Sequence, residues 1–344
     1  MSEHDTIDKI LSYIPILTIV FGLFGNITCF FIFRFSKKFN KIPSMVFLSF
    51  VAIFDTISLF EWNLNHFLVP NFLIALERLN LFSCKIVIFI QIFSLHTSAN
   101  LLSLMCVDRF VSIKSIPGSF YSRLPFGTIK SAYIWCGCIT LIMFLFNIHI
   151  LIFNGNYIKV IQTNVTEKEL VNRTFHYIFK LHNETEICYW YSETIRIFPT
   201  MDKINLIVYN IIPFCIMLVF NILLIISTLL DNKSSKYLSN EKALKSIRKK
   251  RVITISIISI TLAFMILTTP SSLSFGFFFD EISNLKNGSL LFNIFDNISF
   301  IFHSSLFFNS FITNTKFRKF CLKHISKTKI KVLTYFKNLI RKKS

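Results

Sequence analysis

Asp108-Arg109-Phe110 sets an acid beside a base at the end of a long apolar stretch, 25 positions after Cys84. A carboxylate next to a guanidinium makes no covalent chemistry by itself. It forms an ion pair that can be held or released. At a rise of about 1.5 Å per residue a helix over 84–109 is roughly 37 Å long, more than a hydrocarbon core of about 30 Å. Such a helix puts Cys84 at one mouth of a membrane and the Asp108–Arg109 pair at the other. A cysteine outside and a paired arginine inside suit a device that carries a signal across a bilayer.

Other polar residues stand where lipid should forbid them, at a cost of about 2.5–3.5 kcal/mol for each ionisable group. Asp55 lies near mid-membrane, with Asn26, Asn309 and Ser98 at comparable depth. Together they form either a buried cluster with water or a sodium ion, or a structural hydrogen-bond network between helices. Glu61, Gln91 and His96, with His66 and Asn65, fall in the outer halves of their spans and could line a pocket open to the outside. Tyr209, Asp280 and Asp296 could complete it. Packed or solvated side chains are the plainer reading of each one taken singly. No nucleophile and base share a recognisable spacing, and His-x-x-x-His and Cys-x-x-Cys patterns are absent, so neither an enzyme nor a metal or cofactor is called for.

The elements that must position these residues are membrane helices. The chain has 344 residues, 53% of them hydrophobic, above the usual share of about 45–50%. Seven apolar blocks, 11–33, 45–69, 84–113, 129–153, 204–230, 252–279 and 290–312, each exceed the roughly 20 residues that a span needs. The second is the weakest, carrying Asp55, Glu61, Asn63 and Asn65. The first is too long for a signal-peptide core and follows an acidic start (Glu3, Asp5, Asp8), so it reads as a helix that stays. The expectation is an all-α membrane protein, a seven-helix bundle over 1–325 with a short amphipathic eighth helix, followed by a basic tail over 326–344. The 42 phenylalanines read as lipid-facing or packing aromatics.

The net charge of +19 raises the question of nucleic acid, but its distribution argues against that partner. With the N-terminus outside, most Lys and Arg fall on the inner connections and the tail, where the acids are Asp108, Asp231 and Glu241. That is the positive-inside pattern. Its dense pieces, Arg34 to Lys38 and Arg248-Lys249-Lys250-Arg251, would lie on anionic lipid. The outer connection 154–203 carries three glycosylation triplets, at Asn164, Asn172 and Asn183. Cys84 and Cys188 are the two cysteines on the outer side, where disulfides form, and are expected to bond. Cys321, after the last span among basic and aromatic residues, is a candidate for palmitoylation or a free thiol. Pro213 and Pro270 lie inside the fifth and sixth blocks and should bend them. A bent sixth span could swing its inner end, Lys249 to Thr254, away from Arg109.

In this order and at these depths the residues resemble a rhodopsin-like (class A) G-protein-coupled receptor over almost the whole chain. Gly25-Asn26 is similar to the helix-one signature, and Asp55 after Val51-Ala52-Ile53-Phe54 to the helix-two aspartate. Asp108-Arg109-Phe110 resembles Asp-Arg-Tyr, and Cys84 with Cys188 the family disulfide. Trp135, Pro213 and Pro270 stand where the family keeps landmarks. Two signatures depart. Leu267-Thr268-Thr269-Pro270 replaces Cys-Trp-x-Pro and lacks its tryptophan. The Asn-Pro-x-x-Tyr match is Asn309 to Thr313, with Phe320 at the aromatic position of the eighth helix. A shift of three gives Leu306 to Ser310 with Phe317. Thr313 to Arg318 and the Asp-Arg-Phe variant are similar to invertebrate neuropeptide receptors of the FMRFamide-like kind. Gln91 stands where amine receptors carry an aspartate, and no lysine lies between Lys286 and Lys316 to hold retinal.

The resemblance implies a plasma-membrane receptor that binds an extracellular ligand, a neuropeptide in the first instance, and activates a heterotrimeric G protein. Asp108, Arg109, Phe110, Lys250 and Arg251 would form the coupling switch, and Glu61, Gln91, His96, Tyr209 and Asp296 the ligand pocket. The lost signatures leave open a non-signalling decoy or binding partner. A transporter or channel would need repeats or a polar path, and neither is visible in the sequence.

Overall fold

A computed structural model describes residues 9–115, 118–159, 179–181, 184–188, 200–235, 241–324 and 326. Along it run α1 (Ile14–Phe35), α2 (Pro43–Ser58), α3 (Trp62–Phe72), α4 (Leu81–Lys114), α5 (Ile129–Phe153), α6 (Thr200–Asn205), α7 (Ile212–Ser235), α8 (Glu241–Gly276), α9 (Phe279–Ser283), α10 (Gly288–Ser304) and α11 (Leu306–Thr313). Residues 315–324 are helical as well. The six stretches Lys9–Phe35, Pro43–Phe72, Leu81–Lys114, Ile129–Phe153, Lys203–Leu230 and Arg251–Gly276 are long and apolar enough to cross a membrane. α10 and α11 make a further span if the 56° bend between them lies inside one crossing. The molecule is a helical, multi-pass membrane protein. Phe24 on α1, Leu145 on α5 and Leu229 on α7 stand exposed, a surface suited to lipid.

Between helices there is no water to expel, so close packing and hydrogen bonds must hold the bundle. α4 is its axis, touching α2, α5 and α7 and burying Leu101, Leu102 and Met105 completely. Its start is set by a capping box, in which Asn80 accepts from the Ser83 backbone and Ser83 from that of Asn80. α1 meets α10 and α11 through small residues: a Cβ added at Gly25 would stand 2.9 Å from Cβ of Phe307, and one at Gly22 3.0 Å from that of Ser304.

Three features were not legible as such. The second apolar block is broken at Leu59–Glu61, where α2 gives way to α3 in a tight turn, with Leu59 N donating to Thr56 O and Phe60 N to Ile57 O. The fifth winds as a π-helix over Leu206–Ile211 just before Pro213, and α8 by contrast stays one helix through Pro270. The polar connection after α5 carries a small antiparallel sheet of β1 (Asn156–Lys159), β2 (Phe179–Leu181) and β3 (Glu184–Ile187), in the order β1-β3-β2. Asn156 pairs with Ile187 in its register.

Candidate functional site

Helical geometry sorts the polar residues of α4. Positions seven apart lie within about 20° of each other around a helix, and positions two apart about 200° apart. Gln91, Ser98 and Met105 therefore share a stripe, which Arg109 continues, while His96 points elsewhere. Ser98 Oγ donates to Asp55 Oδ1 of α2, so that stripe faces α2. His96 packs against Phe146 of α5, ring centres 5.9 Å apart, and is 1% exposed. His96 thus belongs to the α4–α5 seam and not to a pocket with Gln91.

Around Asp55 the structure assembles a connected polar network. Asp55 Oδ1 accepts from Ser98 and lies 2.8 Å from Nδ1 of His303 on α10. Nε2 of His303 lies 3.0 Å from the Tyr209 hydroxyl in the π-helical turn. Asn26 Nδ2 of α1 donates to the His303 carbonyl at 2.9 Å. With a proton on Nδ1, the imidazole donates to the carboxylate and accepts from the tyrosine, so one neutral ring satisfies both neighbours. Residues from α1, α2, α4, the π-turn and α10 are joined.

Two expectations are corrected here. The residue of the last span beside Asp55 is His303, and Asn309 lies further along α11, its side-chain oxygen buried without a partner. Tyr209 belongs to this network instead of the outer pocket. The cause is the bend at Ser305, with no proline to announce it. Ser304 Oγ donates to Ile301 O and Ser305 Oγ to Phe302 O, and such bonding of hydroxyls back to the helix bends it. Of the two candidate aromatics, Phe317 is fully buried against Phe33 and Phe39, and Phe320 packs edge-on against Phe39 as well. Asp55 Oδ1 is occupied by an imidazole and a hydroxyl, while Asp55 Oδ2 and Asn26 Oδ1 are buried without a partner.

Above this network the outer residues divide into paired and unpaired. Asp296 of α10 accepts from Ser271 Oγ of α8 at 2.6 Å and pairs with His66 of α3 at 3.1 Å. Asn65 Nδ2 donates to Glu77 Oε2, and its oxygen accepts from Leu76 N at 2.9 Å. Glu61 and Gln91 differ: they are 5% and 0% exposed, and no polar side-chain atom of either has a partner. At the mouth of α4, Cys84 is bonded to Cys188 next to β3, with Asn154 Nδ2 donating to the Cys84 carbonyl at 3.5 Å.

At the opposite end of α4, Arg109 Nε donates to Thr254 Oγ1 of α8 at 3.1 Å. Asp108 Oδ1 accepts from Gly127 N at 2.7 Å, a turn that needs the left-handed backbone of Gly127. Phe110 packs edge-on against Tyr121 and Phe220. Arg251 is exposed on α8. The Lys250 side chain and the triplets at Asn164, Asn172 and Asn183 lie outside the described residues. Cys321 is 6% exposed within the aromatic core. Burial pushes its thiol up from the usual range.

Sequence reasoning passed over His303. The signal was available: an imidazole in the middle of an otherwise apolar block is as anomalous as Asp55. The chain matches no protein-family model, and no curated protein matches it.

Proposed function

We propose that the chain is a rhodopsin-like G-protein-coupled receptor at the plasma membrane, its amino end outside, with α10 and α11 as one bent seventh span and residues 315–324 as the eighth helix. An extracellular ligand, a peptide, binds among the outer ends of the spans, below the entrance shaped by the Cys84–Cys188 bond. Binding favours the conformer it contacts better. In that conformer the inner end of α8 leaves Arg109, and the freed guanidinium meets a heterotrimeric G protein.

The observation that carries this reading is the Arg109–Thr254 hydrogen bond. It ties α4 to α8 across the bundle at the end opposite the disulfide. The bond is a polar contact between two spans, and it breaks when one moves away from the other. Separation costs about 0.5–1.5 kcal/mol for such a bond, within what a ligand's differential affinity supplies.

The test expresses the protein in cells that report calcium and cyclic AMP and applies a peptide library. Arg109→Ala should abolish coupling to an activating peptide while its affinity stays within about tenfold, or about 1.4 kcal/mol. Retained coupling would refute the role. The missing tryptophan before Pro270 and the absent Asn-Pro-x-x-Tyr favour a second reading, a binding protein that does not signal. Saturable peptide binding with no second messenger through any G protein would support it.

A further inference from the structure

We infer that the outer half of the bundle carries a proton-operated tie: His66 binds a proton from the outside solution and, once charged, fastens the second span to the last two through Asp296. The inference goes beyond the receptor reading and takes from it only the outward orientation of that end.

Two histidine–aspartate pairs join the second span to the last, one above the other and with their partners exchanged. In the lower pair Asp55 Oδ1 of α2 meets Nδ1 of His303 of α10 at 2.8 Å. In the upper pair Nε2 of His66 of α3 meets Asp296 Oδ2 of α10 at 3.1 Å. Asp296 and His303 are seven positions apart on α10, so they lie within about 20° of each other around it and roughly 10 Å along it. The two rungs differ in access. The side chains of His303 and Asp55 are 0% and 1% exposed, and those of His66 and Asp296 19% and 14%. The lower ring is also engaged at Nε2 by the Tyr209 hydroxyl. The upper rung is the one open to exchange a proton with its surroundings. Asp296 Oδ1 accepts from Ser271 Oγ of α8 at 2.6 Å as well, so a single carboxylate gathers α3, α8 and α10.

Imidazole is the side chain that changes its charge between pH 5 and 8. A neutral ring offers a carboxylate an ordinary hydrogen bond at most, and a protonated ring a charge-assisted one, roughly twice as strong. Few other charges face this pair. α3 has no further charged residue, and α10 has only His303, which Asp55 holds. α8 has none beyond Arg251, and α1 only Arg34 at its far end. Glu61 precedes α3 and is buried. Glu77 is bound to Asn65 and lies 3.7 Å from Arg78. Lys9, Asp280, Glu281 and Lys286 are exposed. The sign follows from the charge. Stability that the pair adds is fully present in acid and is lost as pH rises and the ring gives up its proton. The same structure holds Arg109 to Thr254 at the other end of α8. Outer acidity therefore favours the conformer in which α8 is tied at both ends.

The test is a double-mutant cycle read by thermal unfolding. Full-length protein in lipid nanodiscs, His66→Gln, Asp296→Asn and the double variant are each heated at pH 8 and at pH 5.5. The cycle cancels every other group that titrates over this range. The coupling between the two substitutions should reach about 2 °C at pH 5.5 and fall to less than half of that at pH 8. No coupling at pH 5.5, or equal coupling at the two pH values, would overturn the tie. Should one single variant fail to fold, the other decides alone. Its deficit in unfolding temperature against the unaltered chain must grow by about 2 °C from pH 8 to pH 5.5, and a deficit that is constant or shrinks overturns the tie. The measurement needs neither ligand nor G protein. Its failure leaves the Arg109 coupling experiment standing, and failed coupling leaves this result standing.

Discussion

Two groups of buried polar residues lie one above the other in this bundle, and they are built on opposite terms. Around Asp55 each side chain has at least one mate: Ser98, His303, Tyr209 and Asn26 join a network across five elements, with Asp55 Oδ2 and Asn26 Oδ1 left over. Nearer the Cys84 end of the bundle, Glu61 and Gln91 are also deeply buried and have none. A satisfied network in a low-dielectric setting rigidifies and specifies a packing. An unsatisfied pair destabilises the free protein, and the penalty can be recovered when a complementary group arrives. The lower level thus holds the spans together, and the upper level leaves buried polar groups uncompensated.

That contrast is open to direct attack. His303→Leu should have the largest effect, a loss of about 3–5 kcal/mol, because it leaves the buried Asp55 carboxylate without its imidazole donor. Thermal unfolding of the purified protein measures it, and a loss under 1 kcal/mol would dissolve the distinction. Asp55→Ala should cost about 1–3 kcal/mol, since it strands neutral donors alone, and the double change Asp55→Leu with His303→Leu should recover much of either single loss. Additive losses in that cycle would mean that the two residues do not act as a pair. At the upper level the sign reverses. Glu61→Met should stabilise the free protein by about 1 kcal/mol, since it removes unsatisfied buried oxygens. A strong destabilisation would show that Glu61 belongs to the framework. The smallest effect is expected at the inner end. Thr254→Val removes one restraint on Arg109 and should raise basal G-protein signalling about two- to tenfold, the population shift that a 0.5–1.5 kcal/mol bond allows. Unchanged basal signalling would separate the restraint from coupling.

The helices were legible because hydrophobic block length is a strong signal in a membrane chain. All seven blocks correspond to helix, and the Cys84–Cys188 bond and the Asp55–Ser98 contact were within reach of residue type and depth alone. What escaped was local geometry inside the blocks. The break at Leu59–Glu61 and the bend at Ser305 have no proline, since serine and threonine hydroxyls turned back on their own helices mark them. Matching a signature along an imagined straight helix therefore settled on Asn309, when the bend brings His303 to Asp55. His96 misled for a simpler reason: depth was read and angle was not. The π-turn hid in the same way, and it turns Tyr209 toward His303.

The glycine seam between α1 and the last helices has a consequence for biogenesis. Gly22 and Gly25 leave the ribosome long before Ser304 and Phe307 are made; at Gly22 Leu59 stands closer still, while the three nearest atoms at Gly25 all belong to Ser304 and Phe307. Around Gly25 the first span must therefore wait in lipid until translation is nearly complete. Closure of the bundle is the last event of its manufacture, and a bulkier residue at either glycine would surface as retention of newly made chains inside the cell.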